Sequence, residues 1–128
     1  VALQKLGRYE EAVPCYKQVL NLNSDYSTAW LALASIYRKK GKTEDTIKYY
    51  NKVVTLDSSN TEAWLNMGAL LNKQGRHKAA IRCFDHLLEI DKNSAIAWYN
   101  KGKAFQALSD TTKAKQCFRK AKDLTGET

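Results

Sequence analysis

The residues most able to hold a metal ion or move a proton are His77, Cys83 and His86, which crowd into one short stretch. At about 100° per residue, helical geometry puts His77 and His86 on opposite sides of a helix, so the two imidazoles cannot converge. Only Cys83 and His86 could share an ion, and two ligands make a poor zinc site. They are expected to be a solvated histidine and a small helix-face thiol. Cys15, Cys83 and Cys117 are odd in number, and no two form a CxxC. Neither a disulfide framework nor a zinc knuckle follows, and reduced thiols in a cytoplasmic protein are expected. Gly41–Thr43 spells GKT, but a phosphate loop needs a glycine where Ile36 stands and a strand before it. No HExxH, GxSxG or GxGxxG occurs. The chain is therefore expected to be no enzyme, with no catalytic residue, cofactor or metal.

Trp30, Trp64 and Trp98 could stack on bases or on a ligand. Their spacing argues otherwise, because successive tryptophans are 34 residues apart. Ala29, Ala63 and Ala97 precede them, and Gly7, Gly41 and Gly75 share a register. So do Tyr16, Tyr50, Phe84 and Phe118, and also Leu22, Leu56, Ile90 and Leu124. A residue fixed in such a period is expected to serve the core of a repeat. The repeats are 1–26 (partial), 27–60, 61–94 and 95–128, forming a single array.

These positions need helices to present them. Trp64, Met67, Gly68 and Leu71 step by three and four along one helix face, and Ala80, Phe84, Leu87 and Leu88 do so along a second. Gly75 separates the two where a helix end favours positive φ. Helices are predicted at 27–40, 44–57, 61–74, 78–91, 95–108 and 111–124. A remnant at 1–6 and a full helix at 10–22 precede them. Ser59 and Asn93 stand at expected N-caps. Pro14 lies well inside the 10–22 helix and is expected to bend it, at about 3 kcal/mol. Ala34, Gly68 and Gly102 recur where each first helix would cross Ala12, Thr46, Ala80 or Ala114 of a second. A mid-helix glycine costs about 1 kcal/mol, which close helix approach would explain.

The pattern Trp30, Leu33, Ala34, Tyr37, Thr46, Tyr50, then Trp64, Met67, Gly68, Leu71, Ala80, Phe84, then Trp98, Lys101, Gly102, Phe105, Ala114, Phe118 resembles the tetratricopeptide repeat over the whole chain. The family's proline near each repeat end is replaced by Ser24, Ser58, Lys92 and Gly126. The resemblance implies an all-α fold, a right-handed superhelical solenoid of antiparallel helix pairs, binding a partner along its concave surface. First helices line that surface in the family. The matching positions here are Thr28, Leu31, Ala32, Ser35, Arg38 and Lys39, then Glu62, Leu65, Asn66, Ala69, Asn72 and Lys73. Ile96, Tyr99, Asn100, Lys103, Gln106 and Ala107 follow in the last repeat, and the remnant adds Val1, Gln4 and Lys5. The peptide-binding groove is assigned to Leu31, Ser35, Arg38, Lys39, Leu65, Asn66, Ala69, Lys73, Tyr99, Asn100 and Lys103. Some members clamp a chaperone C-terminal carboxylate, but of the matching Leu31, Ser35, Asn66, Ile96 and Asn100 only Asn66 agrees. Asn66 and Asn100 fit the asparagine ladder of other members, and Ala32 breaks it.

Net charge is +8, and residues 95–128 carry seven bases against three acids. A groove bearing Lys5, Arg38, Lys39, Lys73 and Lys103 against Glu62 suits a protein partner presenting an extended, acidic, partly hydrophobic segment. A nucleic-acid-binding helical repeat is the alternative, though no recurring pair of base-reading side chains is present. The interaction arm of a larger enzyme is another. No apolar run approaches the roughly 18 residues of a membrane span, and VALQKLGRYEE lacks the features of a signal peptide.

The two ends are expected to differ. Lys115 and Lys122 replace Ile81 and Leu88, as a terminal repeat with a polar outer face requires, so the array is expected to stop near residue 128. The first repeat is partial and leaves Tyr9, Ala12 and Tyr16 short of cover. The chain is therefore expected to be the C-terminal end of a longer array, able to self-associate through its truncated N-terminal end.

Overall fold

The computed structural model describes residues 2–126, and of their side chains all but those of residues 2–7 and Tyr9. The proposed groove residues Val1, Gln4 and Lys5, and the Tyr9 side chain, therefore lie outside the described set. Among the described residues there are seven helices and no strand. Two compact units divide the chain between Ser58 and Ser59.

The first unit contains α1 (Ala2–Leu22), α2 (Ser27–Lys39) and α3 (Thr43–Leu56). Leu20, Ala29 and Leu33 form its buried centre, with Val13, Tyr16, Trp30, Tyr37 and Tyr49 packed around them. The predicted break at Gly7 is absent, and α1 runs unbroken through both Gly7 and Pro14. Continuing the helix instead gives each peptide group a partner. Lys40 Nζ ties α1 to the end of α2 through Glu10 Oε1 at 3.0 Å.

The second unit contains α4 (Thr61–Lys73), α5 (His77–Ile90), α6 (Ala95–Ala107) and α7 (Thr111–Thr125). Short turns fold α5 back on α4 and α7 back on α6. The complete helices lie within about one residue of their predicted bounds. The N-caps fall one residue later than expected. Asn60 Oδ1 accepts from Ala63 N–H at 3.0 Å, and Ser94 Oγ from Ala97 N–H at 3.3 Å, in place of Ser59 and Asn93.

The turns inside the repeats share one closing pattern. Lys42 N–H bonds Tyr37 C=O at 3.0 Å, Arg76 N–H bonds Leu71 C=O at 2.8 Å, and Asp110 N–H bonds Phe105 C=O at 2.9 Å. This six-to-one bond needs a left-handed residue just before the donor. Gly41 (φ +77°) and Gly75 (φ +81°) supply it, whereas the last turn uses Ser109 (φ +64°).

The nearest neighbours of the mid-helix glycines are aromatic rings of the paired second helices. A Cβ on Gly68 would stand 2.6 Å from Phe84 Cε1, and one on Gly102 would stand 2.7 Å from Phe118 Cε1. In the first complete repeat the same two register positions hold Ala34 and Tyr50, both fully buried. Thr46 is fully buried where the later repeats have alanine, and its hydroxyl is satisfied by Lys42 C=O at 2.7 Å. Lys101 stands where the repeat pattern has leucine. It is accommodated by an ion pair with Asp85 Oδ1 at 2.6 Å and by the Trp98 ring, 5.2 Å from its Nζ.

The tryptophans are half-buried, not central to the core as their register suggested. Each packs one side of its ring against a core cluster. The indole N–H of Trp30 reaches Ser24 C=O at 2.9 Å, and that of Trp98 reaches Lys92 C=O at 3.1 Å. The tryptophan thus pins the start of its helix to the turn before it, which a residue without a donor could not do.

Candidate peptide-binding face

In the second unit, α4 and α6 lie side by side. Asn72 Nδ2 donates to Asn100 C=O at 3.2 Å, and a hydrogen bond of 2.9 Å joins His77 Nδ1 to Asn72 Oδ1. Asn72, expected in the groove, therefore fastens α4 to α6 and to the start of α5. Leu65 is also drawn inward, packing on the cluster of Leu87, Leu88 and Ala97, so it is no open apolar floor. Asn66 and Asn100 are half-buried on this face, and Glu62, Ala69, Lys73, Tyr99 and Lys103 are exposed. Lys103 Nζ stands 5.5 Å from the Tyr99 ring centroid, and that ring lies 5.5 Å from Phe118. The result is a basic and aromatic corner at the α6 end of the face. In the first unit, α2 exposes Arg38 and Lys39 and half-buries Leu31 and Ser35.

A neighbouring feature escaped sequence reasoning. Between α6 and α7 an open groove of about 760 Å³ is lined by Ile96, Tyr99, Lys103, Phe118, Ala121 and Lys122, among others. Lys115 and Lys122 are exposed, as a polar end would have them, but the surface beside Lys122 is apolar. The exchange of Leu87 for Ala121 in the 34-residue register was the available signal.

The remaining chemical candidates serve the fold. His86 is exposed and stacks on Trp64, the ring centroids 4.5 Å apart. Cys83, one turn earlier on the same helix, is buried, and burial pushes its thiol up to about 11, with Arg82 opposing. Burial likewise raises Cys117, against the nearby Lys101. Both are poor nucleophiles near neutral pH, since the thiolate is the reactive form. Among the described residues no three His, Cys, Asp or Glu side chains are placed to hold a metal ion, and no helix is long and apolar enough to cross a membrane.

Solved structures share this arrangement. The chain is similar to the crystal structure of MamA, with a TM-score of 0.85 and 24% identity over 94% of this chain and 71% of that one. Against a MamA AMB-1 structure the TM-score is 0.87, with 20% identity over 99% and 69% of the two chains. Against MamA 41-end from Desulfovibrio magneticus RS-1 it is 0.82, with 21% identity over 94% and 68%. These likenesses show an all-α helical-repeat fold. No curated protein sequence matches the chain. Two family models described as tetratricopeptide repeat match residues 1–61 and 59–127. The register of tryptophans, the glycine turns and these matches agree, and the chain belongs to the tetratricopeptide repeat family.

Proposed function

We propose that the chain is a non-catalytic, cytoplasmic scaffold that binds a protein partner through an extended acidic segment laid across the first helices of its repeats. The observation that carries this reading is the exposed α4 and α6 face. Lys73 and Lys103 are exposed there, Lys103 against the Tyr99 ring, with Glu62 the acid among the matching positions. Half-buried Asn100 stands one turn before Lys103 and half-buried Asn66 two turns before Lys73, where amides suit a peptide backbone. In the first unit, α2 by itself also exposes two bases, Arg38 and Lys39. Exposed ion pairs contribute up to about 1 kcal/mol each, roughly a fivefold change in affinity.

The test is fluorescence anisotropy with an acidic peptide at rising salt. Arg38→Ala, Lys73→Ala and Lys103→Ala are each expected to weaken binding by up to about fivefold, and salt to weaken it further. Binding indifferent to salt, or stronger for a basic peptide, refutes the reading. Tighter binding to RNA than to any acidic peptide would move the chain to the nucleic-acid alternative.

A further inference from the structure

In the first two complete repeats a ring from the second helix lies against the tryptophan of the first. Tyr49 packs on Trp30 with the ring centroids 5.8 Å apart, and stacks on Tyr37 at 5.1 Å. His86 stacks on Trp64, the two rings 18° from parallel. In the last repeat the positions of Tyr49 and His86 are held by Cys117 and Lys120, and neither carries a ring. A pocket of about 420 Å³ opens there, lined by Trp98, Lys101, Phe105, Lys113, Cys117 and Lys120, among others. The opening comes from these side chains and not from a missing helix, because the earlier repeats fill the seat from within. Lys113, Gln116 and Lys120 lie on one side of α7, and Lys115 and Lys122 lie on the other. None of the residues assigned to the peptide face lines the pocket.

Positive charge has gathered where the ring is lost. Lys101 stands at the position of Leu33 and Met67, and Lys113 at that of Asp45 and Ala79. Lys101 Nζ lies 5.2 Å from the Trp98 centroid and 6.0 Å from that of Phe105, and Lys113 Nζ lies 5.5 Å from Phe105. Cation–π attraction holds these ammonium groups beside the rings before any ligand arrives. Asp85 pairs with Lys101 at 2.6 Å, whereas the exposed contact of Lys113 with Asp110, at 4.0 Å, is weak. Lys113 and Lys120 therefore leave the pocket positive.

We propose that this pocket binds the side chain of a phosphotyrosine on a partner protein, its ring against Trp98 and its phosphate among Lys101, Lys113 and Lys120. The ring restores the stack that Tyr49 and His86 make in the earlier repeats. The phosphate carries about −1.5 to −2 near neutral pH and answers both Lys113 and Lys120, where a carboxylate would answer one. The ammonium groups border the same rings that take the stack, so the anion has to be joined directly to the ligand's ring. A nucleotide, whose phosphate stands a sugar away from its base, fits less well.

The probe is a short Gly- and Ser-flanked phosphotyrosine peptide, labelled for anisotropy and titrated into the intact chain. Phenyl phosphate should displace it at a concentration about tenfold or more below that of inorganic phosphate, phenol or adenosine monophosphate. Lys113→Ala and Lys120→Ala alter exposed positions, so circular dichroism should be unchanged while affinity falls by about fivefold in each. Lys120→His places a ring where His86 stacks on Trp64, and should weaken binding by about threefold or more beyond Lys120→Ala, because it fills the seat as well as removing the charge. Equal affinities in Lys120→His and Lys120→Ala would show that no ring seats on Trp98, and overturn the proposal. So would equal binding of the unphosphorylated peptide, or displacement by inorganic phosphate as effective as by phenyl phosphate. Stronger displacement by adenosine monophosphate would replace the phosphotyrosine with a nucleotide. Probe binding that Lys73→Ala removes and Lys120→His leaves intact would assign it to the extended-peptide face and refute the pocket.

Discussion

Residues 61–94 and 95–128 hold the same repeat within one compact unit, but a helix covers the first and the groove described above opens on the second. Phe84 is fully buried and Leu87 is 2% exposed, because α6 lies over them. In the same register Phe118 is half-buried and Ala121 is 8% exposed, and both line the groove between α6 and α7. The comparison separates two requirements that a repeat combines. Pairing a first helix with its second needs the glycine-on-aromatic contact, which both repeats keep. Stacking one pair on the next needs Leu65, Leu87 and Leu88, which the last repeat replaces with Tyr99, Ala121 and Lys122. The pairing contact is preserved where the stacking contact is changed, so the last repeat folds like its neighbour while presenting a different surface.

The comparison is tested most severely at the stacking positions. Leu87→Ala is expected to cost about 3 kcal/mol in urea unfolding, since it opens a cavity beneath α6. Ala121→Leu, its counterpart in reverse, should change stability by less than about 1 kcal/mol, because the added side chain has open groove to enter. Comparable losses from both would mean that the last repeat is sealed after all.

A smaller difference is expected at the pairing contact. Gly68→Ala forces a methyl group to within 2.6 Å of a ring that is fully buried and cannot swing away. Overpacking of about 1–3 kcal/mol outweighs the roughly 1 kcal/mol of helix propensity gained, for a net loss of about 1–2 kcal/mol. Gly102→Ala meets Phe118 at nearly the same distance, but that ring borders the groove and can turn toward it. The two terms should then nearly cancel. Equal melting-temperature losses for the two variants would break the distinction between covered and open rings.

The smallest effect lies in the turns. A side chain in the left-handed region costs about 1 kcal/mol. Ser109→Gly should therefore stabilise the last repeat by up to about that amount, and Gly75→Ser should cost about as much. No atom lies within 4 Å of a Cβ placed on Gly75, so its loss would be purely conformational. Opposite signs in differential scanning calorimetry are the expected result, and the same sign for both would reject it.

The sequence by itself determined the period, the complete helices and their pairing, because a 34-residue register of apolar and glycine positions admits few local alternatives. It placed Arg38, Lys73 and Lys103 at exposed helix positions for the same reason. It did not determine the helix through Gly7. A glycine there matches a turn in Gly41 and Gly75, and only packing decides between turning and continuing. Nor did it show that Leu65 turns inward, that Asn72 is committed to Asn100, or that the tryptophans bind the preceding turns. Each depends on which side chain of another helix is in reach, a matter of distances across the fold and not of spacing along the chain. The α6–α7 groove is the clearest case. Lys103 and Lys122 were visible as charges, but the apolar seat beside them exists only when Ile96 and Tyr99 of one helix meet Phe118 and Ala121 of the next.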